Sequence, residues 1–584
     1  MKTVEPFTFE VIQDTLYAVT EEMGAELTRI AYSTIIRESH DCATGITDAV
    51  GQTVAQAALT PGHFMTISSA TKGVLDQIPA EAFRPGDAVI TNDPWICAGH
   101  LPDTFILTPF FYRDQILGFL SSVAHHIDVG GTNPGSTTPN TSSIYDEGIQ
   151  IPPVKLYDQG KLNDAVLAIW RKNSRMPEVV ATDLQAQVAV NNRGYQRLTE
   201  LCDKFGPDTV SWAMAEALDR SEILVRSVFD SIPDGVYTAE DFVDDDGWTD
   251  DPVPIRVRLE VKGSDLYVDY EGSGEQTRGG INVTPSYRDA YTQMVVRCFT
   301  DPAIPQNEGC YRPVHITAPP GSVLNPTYPA AVAGRHTCIP RLADVVAAVM
   351  SQAVADKALA GYGGMLGQPV FSGADPQSGR TWMFMDNSHG GTGARANQDG
   401  VDCVSWPWNA ANHMIEVLEN QAPVRIERFE LAQDSEGAGM WRGGLGLIKD
   451  YRVLDGPVNV QVGGDRFKAP ATGLAGGGTS VPQAYILMRA ETEMAVKSKS
   501  DLTLSGGDVL SVRMPGGGGY GVPWRRDARI VQRDVCLGYI SRERARLAYG
   551  VVVDEHGEVD QKQTEHARAA LAASPPSSGG TDEP

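Results

Sequence analysis

The chain has 584 residues, of which 42% are hydrophobic and 21% charged, an ordinary globular balance with ample apolar material for large cores. Its net charge of −26, with no run of clustered Lys and Arg, argues against nucleic-acid binding and against an anionic membrane surface. The start Met1-Lys-Thr-Val-Glu-Pro6 lacks an apolar segment, and no stretch approaches the ~18 apolar residues of a membrane helix, so neither a secretory signal nor a spanning segment is expected and the expected location is cytoplasmic.

In chain order, Ile12, Leu16, Val19, Met23, Leu27 and Ile30 step by three and four, which predicts one amphipathic helix. Short strand-like runs follow at Gln52–Leu59 and Ala88–Thr91. The segments Thr104–Phe111 and Ile116–Ala124 are rich in β-branched and aromatic residues and read as a strand pair. From Gly131 to Pro153 a Gly/Pro/Ser/Thr/Asn stretch has little periodicity, and a loop of that length inside a domain is usually functional. Helices are predicted at about 163–172, 181–204 and 207–231, a β pattern over 235–275, and a buried Ala/Val-rich helix over 340–360. From about 425 to 530, short strands alternate with glycine turns, as in a barrel or sandwich. The predicted class is α+β: a large multi-lobed chain with mixed and antiparallel sheets, helices and a β-rich C-terminal region. Its expected regions are an N-terminal α+β region (1–232), a central α+β region (233–424), the β-rich region (425–553) and a disordered acidic tail (554–584).

The eight cysteines are scattered, with no CxxC pair, so reduced thiols are expected rather than a zinc finger or redox motif. No GxxxxGK[ST] is present; the glycine clusters at 443–447, 476–478 and 516–519 lack the lysine and read as turns, so no ATP site of the P-loop kind is expected. No GxSxG elbow is present either. Of only eleven histidines, three fall in Gly99-His-Leu-Pro-Asp103 and Ala124-His-His-Ile-Asp128. Imidazole and carboxylate are the usual ligands of catalytic divalent metals. His100 and Asp103 are three apart, with Pro102 forbidding an ordinary helix interior between them. Asp103 opens one predicted strand and His125 closes its antiparallel neighbour, which brings the two ends together. The alternative reading is that these are hydrogen-bonded structural residues. His63, His336, His389 and His413 lie in or near Gly/Pro-bounded loops as further pocket-lining candidates, and Asp41 is a possible extra ligand or base.

At these residues the chain resembles the hydantoinase B family, the B-type subunits or domains of ATP-dependent N-methylhydantoinase, 5-oxoprolinase and caprolactamase, related to acetone and acetophenone carboxylases. The resemblance rests on Ile90-Thr-Asn-Asp-Pro94, Gly99-His-Leu-Pro-Asp103, Ala124-His-His-Ile-Asp-Val-Gly-Gly131, Glu147-Gly-Ile-Gln-Ile-Pro-Pro153, Asn307-Glu-Gly-Cys310, Trp441-Arg-Gly-Gly-Leu-Gly446 and Pro515-Gly-Gly-Gly-Gly-Tyr-Gly521, and it runs over about residues 5 to 553. It implies a divalent metal on His100, Asp103 and His125, with Asp41 as fourth ligand and His126 as a nearby substitute. That metal is expected to be zinc in the lactam hydrolases, manganese or iron in the carboxylases. Asp128 is expected to orient a ligand histidine or act as base. ATP and magnesium are expected on a partner A-type subunit with an actin/hexokinase-like fold, in a heterotetramer or larger assembly. The implied function is the metal-dependent half of an ATP-dependent lactam or cyclic amide hydrolase, in which the partner phosphorylates the substrate and this chain delivers metal-held water. The alternative is one component of an ATP-dependent ketone carboxylase. The run Asp386-Asn-Ser-His-Gly-Gly-Thr-Gly393 departs from the plainer glycine-rich segment of many members.

Overall fold

A computed structural model describes residues 5–364, 367–375 and 378–573. The first helix spans Pro6–Ile30; Ile12, Leu16, Val19, Met23 and Leu27 of the predicted stripe are buried, whereas Ile30 at its end is exposed. Among the described residues no helix is long and apolar enough to cross a membrane.

The N-terminal part is organised by one antiparallel sheet of seven strands: β1 (Cys42–Asp48), β2 (Thr53–Gln56), β3 (Ala88–Thr91), β4 (Asp103–Tyr112), β5 (Gln115–His125), β6 (Val154–Asp158) and β7 (Lys161–Leu162), in the spatial order β2-β1-β5-β4-β3-β6-β7. β4 and β5 form the predicted hairpin, closed by Arg113 and Asp114, with Arg113 at φ +55°. Both faces of this sheet are covered. On one side lie the helices Pro6–Ile30, Pro177–Phe205 and Pro207–Phe229, whose apolar residues share a core with Cys42 and Ala124. On the other lie the helices Ile67–Gln77, Pro285–Cys298 and Ile339–Ala353, sharing a core with Ala43, Phe105 and Val123. Successive strand residues point to opposite faces, so neighbours such as Ala43 and Cys42 enter different cores.

A four-stranded sheet carries Gly235–Val243, Val253–Lys262, Asp265–Asp269 and Val314–Thr317, the last two strands parallel. The C-terminal region is a sandwich. A five-stranded sheet (Val424–Leu431, Leu447–Val453, Val509–Arg513, Ala484–Arg489, Thr492–Val496) and a four-stranded one share the core of Phe371, Phe384, Tyr451, Val460, Leu510 and Val512. The second of these sheets pairs Val370–Ala374 with Val458–Gly463, so strands from both sides of the expected 424/425 boundary belong to one sheet. Antiparallel pairing, not chain order, sets the limits of that unit. The glycine clusters are the place where backbones meet without side chains: Gly517 N donates to Gly444 O at 2.9 Å and Gly518 N to Gly361 O at 2.8 Å. A Cβ on Gly517 would stand 1.9 Å from Thr392 O.

The expectation of a disordered tail from residue 554 is corrected over 554–573. Gln561–Ala573 is a helix that buries Thr564, and Arg568 Nη2 donates to Arg526 O at 2.5 Å. Alanine-rich composition suits a docked helix as well as a solvated tail. The remainder of the expected tail lies outside the described residues.

Candidate metal centre

The hairpin register places Asp103 directly opposite His125, and β1 lies on the other side of β5 with Cys42 opposite Ala124. His125 N donates to Asp41 O at 3.0 Å, which extends that register by one residue. Residues directly opposite across antiparallel strands share a face. Asp41, His125 and Asp103 therefore form a row across three strand ends. His100 arrives from the turn before β4, at Gly99 with φ +82°, where a Cβ would meet Arg335 and Tyr287 at 2.9 Å. His63 arrives from the short helix Pro61–Phe64.

Three imidazole nitrogens converge on one carboxylate oxygen. Asp103 Oδ1 lies 2.9 Å from His100 Nε2, 3.0 Å from His125 Nδ1 and 3.2 Å from His63 Nε2. Asp41 stands at the rim, its carboxylate 3.5 Å from His63 Nδ1 and 3.8 Å from His125 Nδ1 and its side chain 22% exposed. His100 Nδ1 faces the Ala333 carbonyl at 3.3 Å, which aims Nε2 at Asp103. Ala333 is fixed in turn by Glu147, whose Oε1 accepts from Val332 N, Ala333 N and Thr141 Oγ1. The loop Gly131–Pro153 thus acts on the centre through Glu147. On the far side of Asp103, Arg335 Nη2 donates to Oδ2 at 2.6 Å, while Nε donates to Ala98 O and the guanidinium lies 3.9 Å from the centre of the Tyr287 ring.

Burial would raise the Asp103 carboxyl, but His100, His63 and Arg335 hold it well below the usual range, so it is an anion. Burial, aided by the Arg335 charge, pushes His100 down to about 3. In His63 burial works downward too, yet the Asp103 and Asp41 carboxylates outweigh it and raise the imidazole.

The centre fits a divalent ion on its own chemistry. His63 Nδ1, His100 Nε2 and His125 Nε2 are buried without a hydrogen-bond partner, an expensive arrangement for three polar atoms within one cluster. His100, Asp103 and His125 each offer a ligand atom within 4.8 Å of the others, the one such group of three among the described residues. The contacts of 2.9–3.2 Å are a few tenths of an ångström shorter than the ~3.3–3.6 Å between ligand atoms of a tetrahedral ion with bonds of ~2.0–2.2 Å, so a small outward shift of these side chains would admit one. A narrow cavity reaches the centre; besides the residues named, it is lined by Thr60, His336, Gln368, Asn387, Trp408 and Ala410.

His126 and Asp128 are not brought to this cluster. One residue past His125, His126 turns to the opposite face, where Nε2 meets Gln187 Oε1 at 3.0 Å and the ring packs edge-on against Trp170. Asp128 binds Arg175, accepting from Nη1 at 2.7 Å and from the backbone N at 2.6 Å, along with Ser174 Oγ and Gly135 N. It fixes the turn after β5. Conversely, sequence spacing did not point to Arg335, Tyr287, Asn387 or Gln368. The only local trace of Arg335 is a polar Arg-His pair wedged between the apolar run 330–333 and a buried helix.

The fold and the cluster together define an α+β protein whose largest sheet presents a buried histidine–carboxylate centre to a narrow cavity. The family model described as hydantoinase B/oxoprolinase matches residues 5–523, and the chain belongs to that family. It is 34% identical over 97% of its length to the B-type subunit of a putative D-/L-hydantoinase of Pseudomonas sp. (strain NS671), covering 98% of that protein. With the beta subunit of the caprolactamase of Pseudomonas jessenii it shares 30% identity, covering 98% of this chain and 100% of the relative. The solved structure of the ATP-dependent caprolactamase from that organism superposes with a TM-score of 0.90 at 29% identity, over 97% of this chain and 100% of that one. An acetone carboxylase structure, described as nucleotide-free, also gives 0.90, at 19% identity, over 97% of this chain and 83% of that one, and shares the fold.

Proposed function

We propose that this chain is the hydrolytic subunit of an ATP-dependent cyclic amide hydrolase acting on a lactam, oxoproline or hydantoin ring. The observation that carries this reading is the convergence of three buried imidazoles on Asp103, in a chain whose relatives are named as the B-type subunit of a hydantoinase and the beta subunit of a caprolactamase. His100, Asp103 and His125 would hold a divalent ion, zinc in the first instance, with Asp41 and His63 at its edge. Such an ion supplies Lewis acidity and brings a water's pKa towards neutrality.

The residues of the chain divide the remaining work. Arg335 keeps Asp103 anionic and fixed, and the Ala333 carbonyl fixes the tautomer of His100. Asp41, partly open to the cavity and beside His63, presents a carboxylate that can accept a hydrogen bond from water there. Tyr287 and Trp408 supply apolar wall around a polar floor. A second protein that activates the amide is required because an unstrained amide resists attack. An ATP-binding A-type partner with an actin/hexokinase-like fold, in a heterotetramer or larger, would transfer the γ-phosphoryl group to the amide oxygen. Water then adds its oxygen to the activated carbon, the ring C–N bond breaks with the nitrogen taking a proton to leave an acyl phosphate, and a second water cleaves that acyl phosphate to give the carboxylate and inorganic phosphate.

The test is reconstitution with the ATP-binding partner under metal-replete conditions. ATP-dependent ring opening of caprolactam, 5-oxoproline or a hydantoin supports the reading. Absence of all three activities in an intact complex, or incorporation of labelled bicarbonate into a ketone, overturns it.

A further inference from the structure

Behind the cavity wall lies a buried hydrogen-bonded chain that the metal centre does not use. Asp386 directly follows the strand Thr381–Met385. Its Oδ2 accepts from Lys449 Nζ at 2.5 Å and Tyr451 OH at 2.6 Å, both from the strand Leu447–Val453. Its Oδ1 faces His413 Nδ1 at 3.3 Å, and His413 Nε2 meets Ser39 Oγ at 2.9 Å. The order serine–histidine–aspartate is that of a nucleophile relay, but Ser39 is 1% exposed and lies outside the cavity lining. Its oxygen is instead occupied by Asn387, whose Nδ2 donates to Ser39 Oγ at 3.2 Å and to Ala411 O at 3.3 Å.

Asn387 does line the cavity. Its amide is therefore polarised: Nδ2 is committed to two acceptors in the wall, and Oδ1 remains for the cavity side, where Gln368 Nε2 reaches it at 3.3 Å. Whichever way the Ser39 proton points, the hydroxyl oxygen keeps a lone pair for Nδ2. The buried Asp386–Lys449 pair fixes the far end, because Asp386 is held well below its usual range against burial by Lys449 and His413. The free space beside Asn387 is small, about 40 Å³, enough for a few waters.

We propose that Asn387 is a catalytic residue that orients the attacking water through Oδ1, with Ser39, His413 and Asp386 as positioning residues that stop its amide from rotating. This rests on the hydrolase reading above. A carbonyl oxygen accepts one hydrogen of the water and turns a lone pair towards the reacting carbon, which is worth rate rather than affinity.

The experiment uses the reconstituted complex. Asn387→Ala should lower kcat at least ~30-fold with KM within about threefold and metal content unchanged. Asn387→Asp, which has no donor for Ser39 Oγ and Ala411 O, should not recover that loss. Ser39→Ala should lower kcat by a smaller factor in the same direction. A high-resolution crystal structure of the chain should show a water within hydrogen-bond distance of Asn387 Oδ1 that is lost in Asn387→Ala. If the wild-type complex shows no ATP-dependent ring opening, the hydrolase reading fails. If it does, the proposal is overturned by an unchanged kcat in Asn387→Ala, by a loss expressed in KM alone, by full recovery of kcat in Asn387→Asp, or by no water at Oδ1.

Discussion

His125 and His126 are adjacent and equally buried, and the sheet sends them to different places. Replacing each by alanine should separate metal binding from stability. His126→Ala removes the partner of Gln187 Oε1, a buried acceptor whose orphaning costs ~1–3 kcal/mol. It also opens a gap beside Trp170, so the total is ~4 kcal/mol. Unfolding entropy of ~2.1 cal/mol/K per residue gives a chain of 584 residues about 1.2 kcal/mol/K, so Tm falls by only ~3 °C. Metal content should stay at the wild-type level. His125→Ala removes one of the three imidazoles around Asp103 and should weaken metal binding by more than ~100-fold with a smaller loss of Tm in the metal-free protein. Elemental analysis after dialysis against a weak chelator, with calorimetry on the same samples, reads both. Loss of metal from His126→Ala together with retention by His125→Ala would refute the assignment of faces.

Other outcomes are as definite. Asp103 and Asp41 raise His63 against burial, so the metal-free centre favours a proton there that an ion displaces. Metal binding should therefore release protons and tighten as pH rises, as titration calorimetry in buffers of different ionisation enthalpy can measure. Glu147, pushed up to about 7 by burial, is protonated in the fold and ionised in the unfolded chain between its ordinary value and 7, so stability falls as pH rises through that window. Glu147→Gln, which keeps the accepting oxygen, should remove that slope, a difference of ~3 kcal/mol above pH 7 in denaturant titrations. Gly517→Ala places a methyl 1.9 Å from a backbone carbonyl that cannot yield, and should cost at least ~3 kcal/mol or abolish soluble expression.

Much of the centre's local frame was legible in the sequence. Two adjacent β-rich runs joined by a short turn bring the ends at Asp103 and His125 together, but the pairing at the turn, Tyr112 opposite Gln115, would by itself set Asp103 opposite Ala124; a bulge between Phe110 and Phe111 shifts the register by one residue and places Asp103 opposite His125. The apolar stripe of the first helix was legible as a period written in consecutive residues. What the sequence could not decide was which histidine faces which core. Both faces of the sheet are covered, so His125 and His126 sit in equally apolar surroundings and no polar–apolar alternation tells them apart. Nor could it bring in Arg335, which reaches Asp103 across 232 residues, or join Ser39 to His413 and Asn387 across more than 340. Those contacts exist because helices and the C-terminal sandwich pack onto one end of a sheet, and side chains that meet only through packing leave no period in the chain. His100, Asp103 and His125, with His63 as a pocket-lining candidate, were thus the sequence's contribution, and the convergence of His63 on Asp103 and the neighbours Arg335 and Asn387 were the tertiary structure's.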